Sequence, residues 1–237
     1  MALRRFLVTG VGRSGTGYTA SLLTELGCPT GHEEVFGPPR LRNAGQITWP
    51  PDVAGDSSWL GAPYLDALPE GTVVLHQVRE PVANVRSSLR IQFFSTPSWY
   101  RIFAEEHAPT LLVGSEPERC LRYWLEWNRM AERAREMPAL EYFRYRLEDI
   151  DHALVGEICA RIGLEVTPAR IAEVLEQIPR DYNTRRDKQN DGDWRWSELP
   201  PGGTKRAVEQ LAASYGYGPE TAEGTLHVQP RAQHASG

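Results

Sequence analysis

The residue types best suited to chemistry sit at the start of the chain, in Phe6-Leu7-Val8-Thr9-Gly10-Val11-Gly12-Arg13-Ser14-Gly15-Thr16-Gly17-Tyr18. Phe6 to Val8 reads as a short buried strand. Glycines and hydroxyl residues follow, then a helical pattern with Leu22, Leu23 and Leu26 on one face. Strand, glycine loop and helix together aim backbone N–H groups and a helix N-terminus at an anion. Glycines suit such a loop because a side chain would block the close approach of a phosphate, and Arg13 adds a cation to it. A second chemical stretch is Val73-Val74-Leu75-His76-Gln77-Val78, followed by Arg79-Glu80-Pro81 and, eight residues after Arg79, by Ser87. Arg79 ends an apolar interior strand, on the edge where α/β sheets bind ligands; its structural alternative is a salt bridge to Glu80 or Asp149. The third stretch is His32-Glu33-Glu34, 19 to 21 residues beyond Arg13. An imidazole or carboxylate there can take a proton; its alternative is a solvated acidic turn.

Which anion the loop suits decides the function. A Walker A loop needs Lys in the sixth place after its first Gly. That place holds Thr16 counted from Gly10 and Tyr18 counted from Gly12, so the lysine for a nucleoside triphosphate is missing. Gly10, Gly12 and Gly15 match the Gly-x-Gly-x-x-Gly dinucleotide fingerprint, but no second apolar strand leads to the acids at 33 and 34. Arg13-Ser14-Gly15-Thr16 directly after a strand resembles the 5′-phosphosulfate loop of the sulfotransferases that use 3′-phosphoadenosine 5′-phosphosulfate (PAPS). Arg79 with Ser87 resembles that family's 3′-phosphate motif, in the right order and strand context. Weaker matches are Gly31-His32-Glu33 with Ser58-Trp59, the run Arg146-Leu147-Glu148-Asp149, and Trp194 to Leu199 with Gly216-Tyr217. Gly17 departs from the family, many of whose members carry a second hydroxyl residue there.

The resemblance implies PAPS as cofactor and PAP as its product, with no metal. It implies Gly12, Arg13, Ser14, Gly15, Thr16, Gly17 and Tyr18 around the phosphosulfate, and Arg79 and Ser87 on the 3′-phosphate. Arg13 would meet the growing charge of an in-line sulfuryl transfer to a hydroxyl or amine. Glu33 would take the acceptor's proton with His32 orienting it; His32 as base, or Glu34, is the alternative. The acceptor would be a small molecule, a carbohydrate or a peptide. The rival functions are a P-loop-type kinase of a small molecule and a protein that binds PAPS or PAP without transfer.

The elements that must position these residues fit one α/β domain: three layers, with a central mostly parallel sheet and a P-loop-like phosphosulfate loop. Residues 1–218 form that domain, and 219–237 read as a polar, loosely ordered tail. A helix runs from Pro81 through Val85 and Leu89 towards Phe93. Cys120, Tyr123, Trp124, Trp127 and Ala131 mark a core-facing helix over 117–136. A strand over 142–147 follows, then helices near 151–163 and 168–178, the latter capped by Thr167, and a last helix over 204–215. Residues 36–72, rich in Gly and Pro, read as long loops with at most short structure, in which Trp59 either lines a pocket or closes the core. The charged stretch from Arg180 to Trp196, with Arg185, Arg186 and Lys188, reads as a solvated loop. A formal charge of −5 argues against a nucleic-acid surface. Three widely spaced cysteines fit a reducing, cytoplasmic setting, and no stretch approaches a membrane span or a signal peptide.

Overall fold

The first strand, β1 (Phe6–Thr9), is buried on both faces and sits at the centre of the sheet. The computed structural model describes residues 2–41, 47, 49–178 and 195–218. After β1 come α1 (Thr16–Glu25), β2 (Thr30–His32), the one-turn α2 (Pro38–Leu41) and β3 (Gly55–Ser57). A 3-10 segment, Trp59–Ala67, leads to β4 (Val73–Val78), α3 (Pro81–Arg90), α4 (Trp99–His107) and α5 (Glu116–Glu132). The described chain continues with β5 (Glu141–Arg146), α6 (His152–Ile162), α7 (Pro168–Gln177) and α8 (Gly203–Ser214). The five strands lie in the order β2-β3-β1-β4-β5, and every pairing is parallel. The described residues thus form a single α/β domain with a central parallel sheet, as expected.

Strand alternation divides the core into two layers. Leu7 of β1 and Val74 and Val78 of β4 face one side, where they meet α3, α4, α5 and α8 through Val85, Phe103, Trp124, Trp127 and Val208. Phe6, Val8, Val73 and Leu75 face the other, against Leu22 and Leu23 of α1, Ile158 of α6 and Val174 of α7. The aromatic stripe of α5 is core as expected: Tyr123, Trp124 and Trp127 are fully buried. Trp59 closes that core too, since its carbonyl accepts the Trp127 indole N–H at 2.8 Å and its ring packs on Tyr123 and Trp127.

The structure adds to the sequence reading or departs from it at three points. The Gly- and Pro-rich stretch holds an interior strand, β3, and the nine-residue 3-10 segment. Phe93 lies beyond α3, which ends at Arg90; Gln92 then takes φ 51° and turns the chain so that Phe93 stacks on Tyr123. The helix α4 was not among the elements expected from periodicity. The strand and remaining helices stand within a few residues of their expected places, with a 3-10 turn, Arg133–Glu136, finishing the helix expected to 136. Thr167 caps α7 through the Arg170 N–H at 3.2 Å. The tail 219–237 and residues 180–194 of the charged stretch lie outside the described residues.

Candidate functional site

The loop from Gly10 to Gly15 joins the carboxyl end of β1 to α1. Its tightness explains its glycines. A Cβ on Gly10 would lie 2.2 Å from the backbone oxygen of Gln77, and one on Gly12 would lie 2.4 Å from the Tyr123 hydroxyl. Gly15 has φ 93° and is the N-cap of α1, and no side chain caps that helix. The partly positive end of the helix therefore opens onto the loop. Within the loop the Ser14 N–H bonds the Val11 carbonyl (3.2 Å), and the Gly12 N–H bonds the Tyr123 hydroxyl (3.1 Å).

The two sequence motifs meet here. Arg79, one residue past β4, donates from Nη1 to the Arg13 carbonyl at 2.7 Å, and Arg13 Nε donates to Ser87 Oγ at 3.2 Å. Ser87 lies on α3, which Pro81 opens and Glu80 caps through the Ala83 N–H. The Arg79 carbonyl in turn accepts the Trp124 indole N–H at 2.9 Å, fixing the residue at its backbone. Burial pushes the Arg79 guanidinium pKa down; Glu148 and Glu80 raise it, while the neighbouring cations Arg13 and Arg86 push it down further. Three guanidiniums gathered at a sheet edge favour an anion between them. Glu148 is itself held by the Tyr217 hydroxyl (2.6 Å) and the Glu80 N–H (3.0 Å). Asp149, the other acid considered for Arg79, pairs with Arg146 at 2.6 Å.

The turn after β2 carries the candidate bases. Glu33 has φ 56°; Arg13 (φ 70°) and Gln92 share positive φ among the described non-glycine residues. Strained residues of this kind concentrate at functional sites, and here they include the candidate cation and the candidate base. What holds the Glu33 turn is Asp56 of β3, fully buried, whose carboxylate accepts the N–H groups of Glu34 (3.0 Å) and Phe36 (2.9 Å). Burial pushes the Asp56 pKa up, and those backbone donors oppose the rise. Glu33 lies near enough to the loop for its charge to act on Tyr123. The Tyr123 hydroxyl, which burial holds far above the usual phenol value, is pushed up further by Glu33 and eased by Arg13. His32 faces elsewhere: its exposed side chain lines a cavity of about 520 Å³ with Gly17, Ser21, Thr24 and Glu25 of α1 and the end of α7. Glu34 is exposed.

Of the other loop residues, Thr16 is buried and its carbonyl accepts Ser57 Oγ at 2.7 Å. Gly17 is half-buried at the cavity, and the Tyr18 ring packs into the α1 core layer. Ser14 Oγ is buried without a protein hydrogen-bond partner, as a hydroxyl awaiting a ligand or water would be. Asp56, Asn84, Arg86 and Tyr123 are site residues that the sequence motifs do not reach. A lone acid or amide in a buried stretch is the signal that could have found Asp56 and Asn84. Among the described residues no group of three His, Cys, Asp or Glu could hold a metal ion, and no helix is long and apolar enough to cross a membrane.

No family model and no curated protein sequence matches the chain. Its structure is similar to the crystal structure of mouse sulfotransferase SULT7A1 complexed with PAP. The TM-score is 0.50 at 12% identity, over 94% of this chain and 88% of that one. At that identity the likeness establishes the fold, which is sulfotransferase-like.

Proposed function

We propose that this chain is a sulfotransferase that moves a sulfuryl group from PAPS to a hydroxyl or amine of a small-molecule, carbohydrate or peptide acceptor. The observation that carries this reading is the junction of two motifs 66 and 74 residues apart: Arg79 on the Arg13 carbonyl, and Arg13 on Ser87. They join beside the uncapped N-terminus of α1. The cofactor suits the residues present: Ser14 offers a buried hydroxyl without a protein partner, and Arg13 and Arg86 each lie close enough to Arg79 for it to feel their charge. PAP bound to SULT7A1, a protein of similar fold, is further support.

When bound, PAPS supplies an activated sulfuryl group. Gly12, Ser14, Gly15, Thr16 and Gly17 would hold its 5′ end through backbone N–H groups and hydroxyls, with Tyr18 beneath them. Arg79 and Ser87 would hold the 3′-phosphate. Arg13 meets the negative charge that grows as the group transfers, the task that fixed donors perform best in a preorganised site. Glu33 would take the acceptor's proton, with His32, the adjoining residue, orienting it or serving as the alternative base. Residues 1–218 are the unit that does this. The buried free thiols Cys28, Cys120 and Cys159 support a cytoplasmic setting.

Calorimetry with PAP and with 5′-AMP tests the reading. The protein is expected to bind PAP more tightly. Arg79→Ala is expected to cut that preference by about 10- to 100-fold, since a charge-assisted hydrogen bond contributes roughly 1.5–3 kcal/mol. Equal affinity of the unmodified protein for the two nucleotides would remove the 3′-phosphate site and the assignment with it.

A further inference from the structure

Gln77 is an anomaly. It lies in β4 among Val73, Val74, Leu75 and Val78, and it is fully buried. A buried amide must spend both of its ends. Its Oε1 accepts the Thr19 hydroxyl of α1 at 2.5 Å and the Tyr145 hydroxyl of β5 at 2.6 Å. Those two donors fix the amide's orientation, because a flipped amide would turn N–H groups towards them and an oxygen towards a carbonyl. The Nε2 group therefore faces the loop and donates to the Ser14 carbonyl at 2.5 Å. It also lies 2.9 Å from where a Cβ on Gly15 would stand, so the loop is shaped around it.

The Ser14 contact is one of three. Asn84 Nδ2 of α3 donates to the Gly12 carbonyl at 2.9 Å, and Arg79 Nη1 to the Arg13 carbonyl at 2.7 Å. Three successive carbonyls of the loop are thus held from β4 and α3. In a trans peptide the carbonyl of one residue and the N–H of the next point in opposite directions, and the described chain contains no cis bond. Holding these carbonyls turns the N–H groups of Arg13, Ser14 and Gly15 away from β4 and α3. Ser14 N–H bonds the Val11 carbonyl within the loop. An unheld loop would be free to flip a peptide and present a carbonyl to an anion.

We infer that Gln77, together with Asn84, is a positioning residue that sets the polarity of the anion loop, keeping its carbonyls inward and its amides towards the 5′-phosphate end of the nucleotide. The inference rests on the phosphosulfate reading of the loop. An amide satisfies all three partners of Gln77 at once, and does so whatever the pH. A thioether accepts only weakly and cannot donate to Ser14, and a carboxylate can donate to Ser14 only while protonated. The neighbouring ionisable groups, Arg79 on the same strand end and the Tyr145 phenol, whose pKa burial raises, keep their charge states between pH 5 and pH 8.

The test is nucleotide binding by Gln77→Met and Gln77→Glu at pH 5 and pH 8, with 5′-AMP and PAP as probes and thermal melts to verify folding. Gln77→Met is expected to weaken both nucleotides by the same factor, on the order of tenfold, at both pH values. Gln77→Glu is expected to bind within a few-fold of the unmodified protein at pH 5, about as a restored donor would, and to fall below Gln77→Met at pH 8. Wild-type-like binding by Gln77→Met, or a Gln77→Glu deficit that is the same at both pH values, overturns the proposal. So does a loss confined to PAP, which would put the effect at the 3′-phosphate. If neither Gln77 variant folds, Asn84→Asp poses the same question at the Gly12 carbonyl. Failure of the unmodified protein to bind either nucleotide would instead discard the phosphosulfate reading and, with it, the role of Gln77.

Discussion

Acidification should loosen this fold through one buried ring. His76 of β4 is fully buried between Tyr142 of β5 (2.8 Å at Nδ1) and Asn128 of α5 (3.0 Å at Nε2), with its ring edge-on to Tyr215 after α8. The Asn128 amide donates to the Trp124 carbonyl at 2.7 Å, so its oxygen faces His76. This assigns the neutral ring protonated at Nε2, with Nδ1 accepting the Tyr142 hydroxyl. Burial lowers the His76 pKa from 6.5 to about 4; Asn128 resists this and Arg144 adds to it. The fold accepts the neutral ring, so stability is whole above 6.5 and is lost as pH falls towards 4. Integrating the proton uptake between those values gives about 2 kcal/mol lost between pH 7 and pH 5. Burial raises the pKa values of Asp56 and Glu80, which therefore act in the opposite sense. The comparison must be with a protein that keeps them. Urea unfolding of the unmodified chain and of His76→Gln at both pH values supplies it. The variant is expected to be less stable at pH 7 but to lose about 2 kcal/mol less on acidification. Parallel losses in the two proteins would refute the buried neutral ring as the acid-sensitive group.

Arg13→Ala is expected to lower turnover on the order of 100-fold with radiolabelled PAPS, and to weaken PAP binding far less, because the charge it meets grows in the transition state. EDTA should leave the rate unchanged, and a metal requirement would point to a kinase. Glu33→Gln is expected to slow the single-turnover rate by about 100-fold while PAP binding survives, and His32→Asn to be milder. The reverse order would make His32 the base and bring its cavity beside α1 into the reaction.

The parts of the fold legible in the sequence were those built from apolar periodicity. β1, β4 and α5 announce themselves through Phe6 to Val8, Val73 to Val78 and the stripe from Cys120 to Ala131. β2 and β3 do not, because their residues are small or polar for reasons outside their own strands. Gly55 is glycine because the Phe6 ring fills the space a Cβ would need, at 2.2 Å. Asp56 is an acid because it holds the turn after β2. The loop and the Arg79–Ser87 motif were legible as residue types at fixed spacing, and their meeting was implied only by resemblance. Gln77 and Asn84 were invisible as site residues, since each makes its contact with a backbone carbonyl that no spacing rule reports. Tyr123 is core, as its helical periodicity implies, but nothing in that periodicity reveals that its hydroxyl accepts the Gly12 N–H.

The strand order has a dimensional consequence. Asp56, which anchors the Glu33 turn, rides on β3, and Arg79 rides on the end of β4; β1 runs between them. Two inter-strand steps, about 9–10 Å in all, therefore separate the two mounts. That width belongs to the hydrogen-bonded lattice of the sheet, and loop motion cannot shorten it without breaking ladder bonds. The gap acts as a fixed gauge. Groups carried on the two mounts therefore meet across the gap only as far as their own side chains reach.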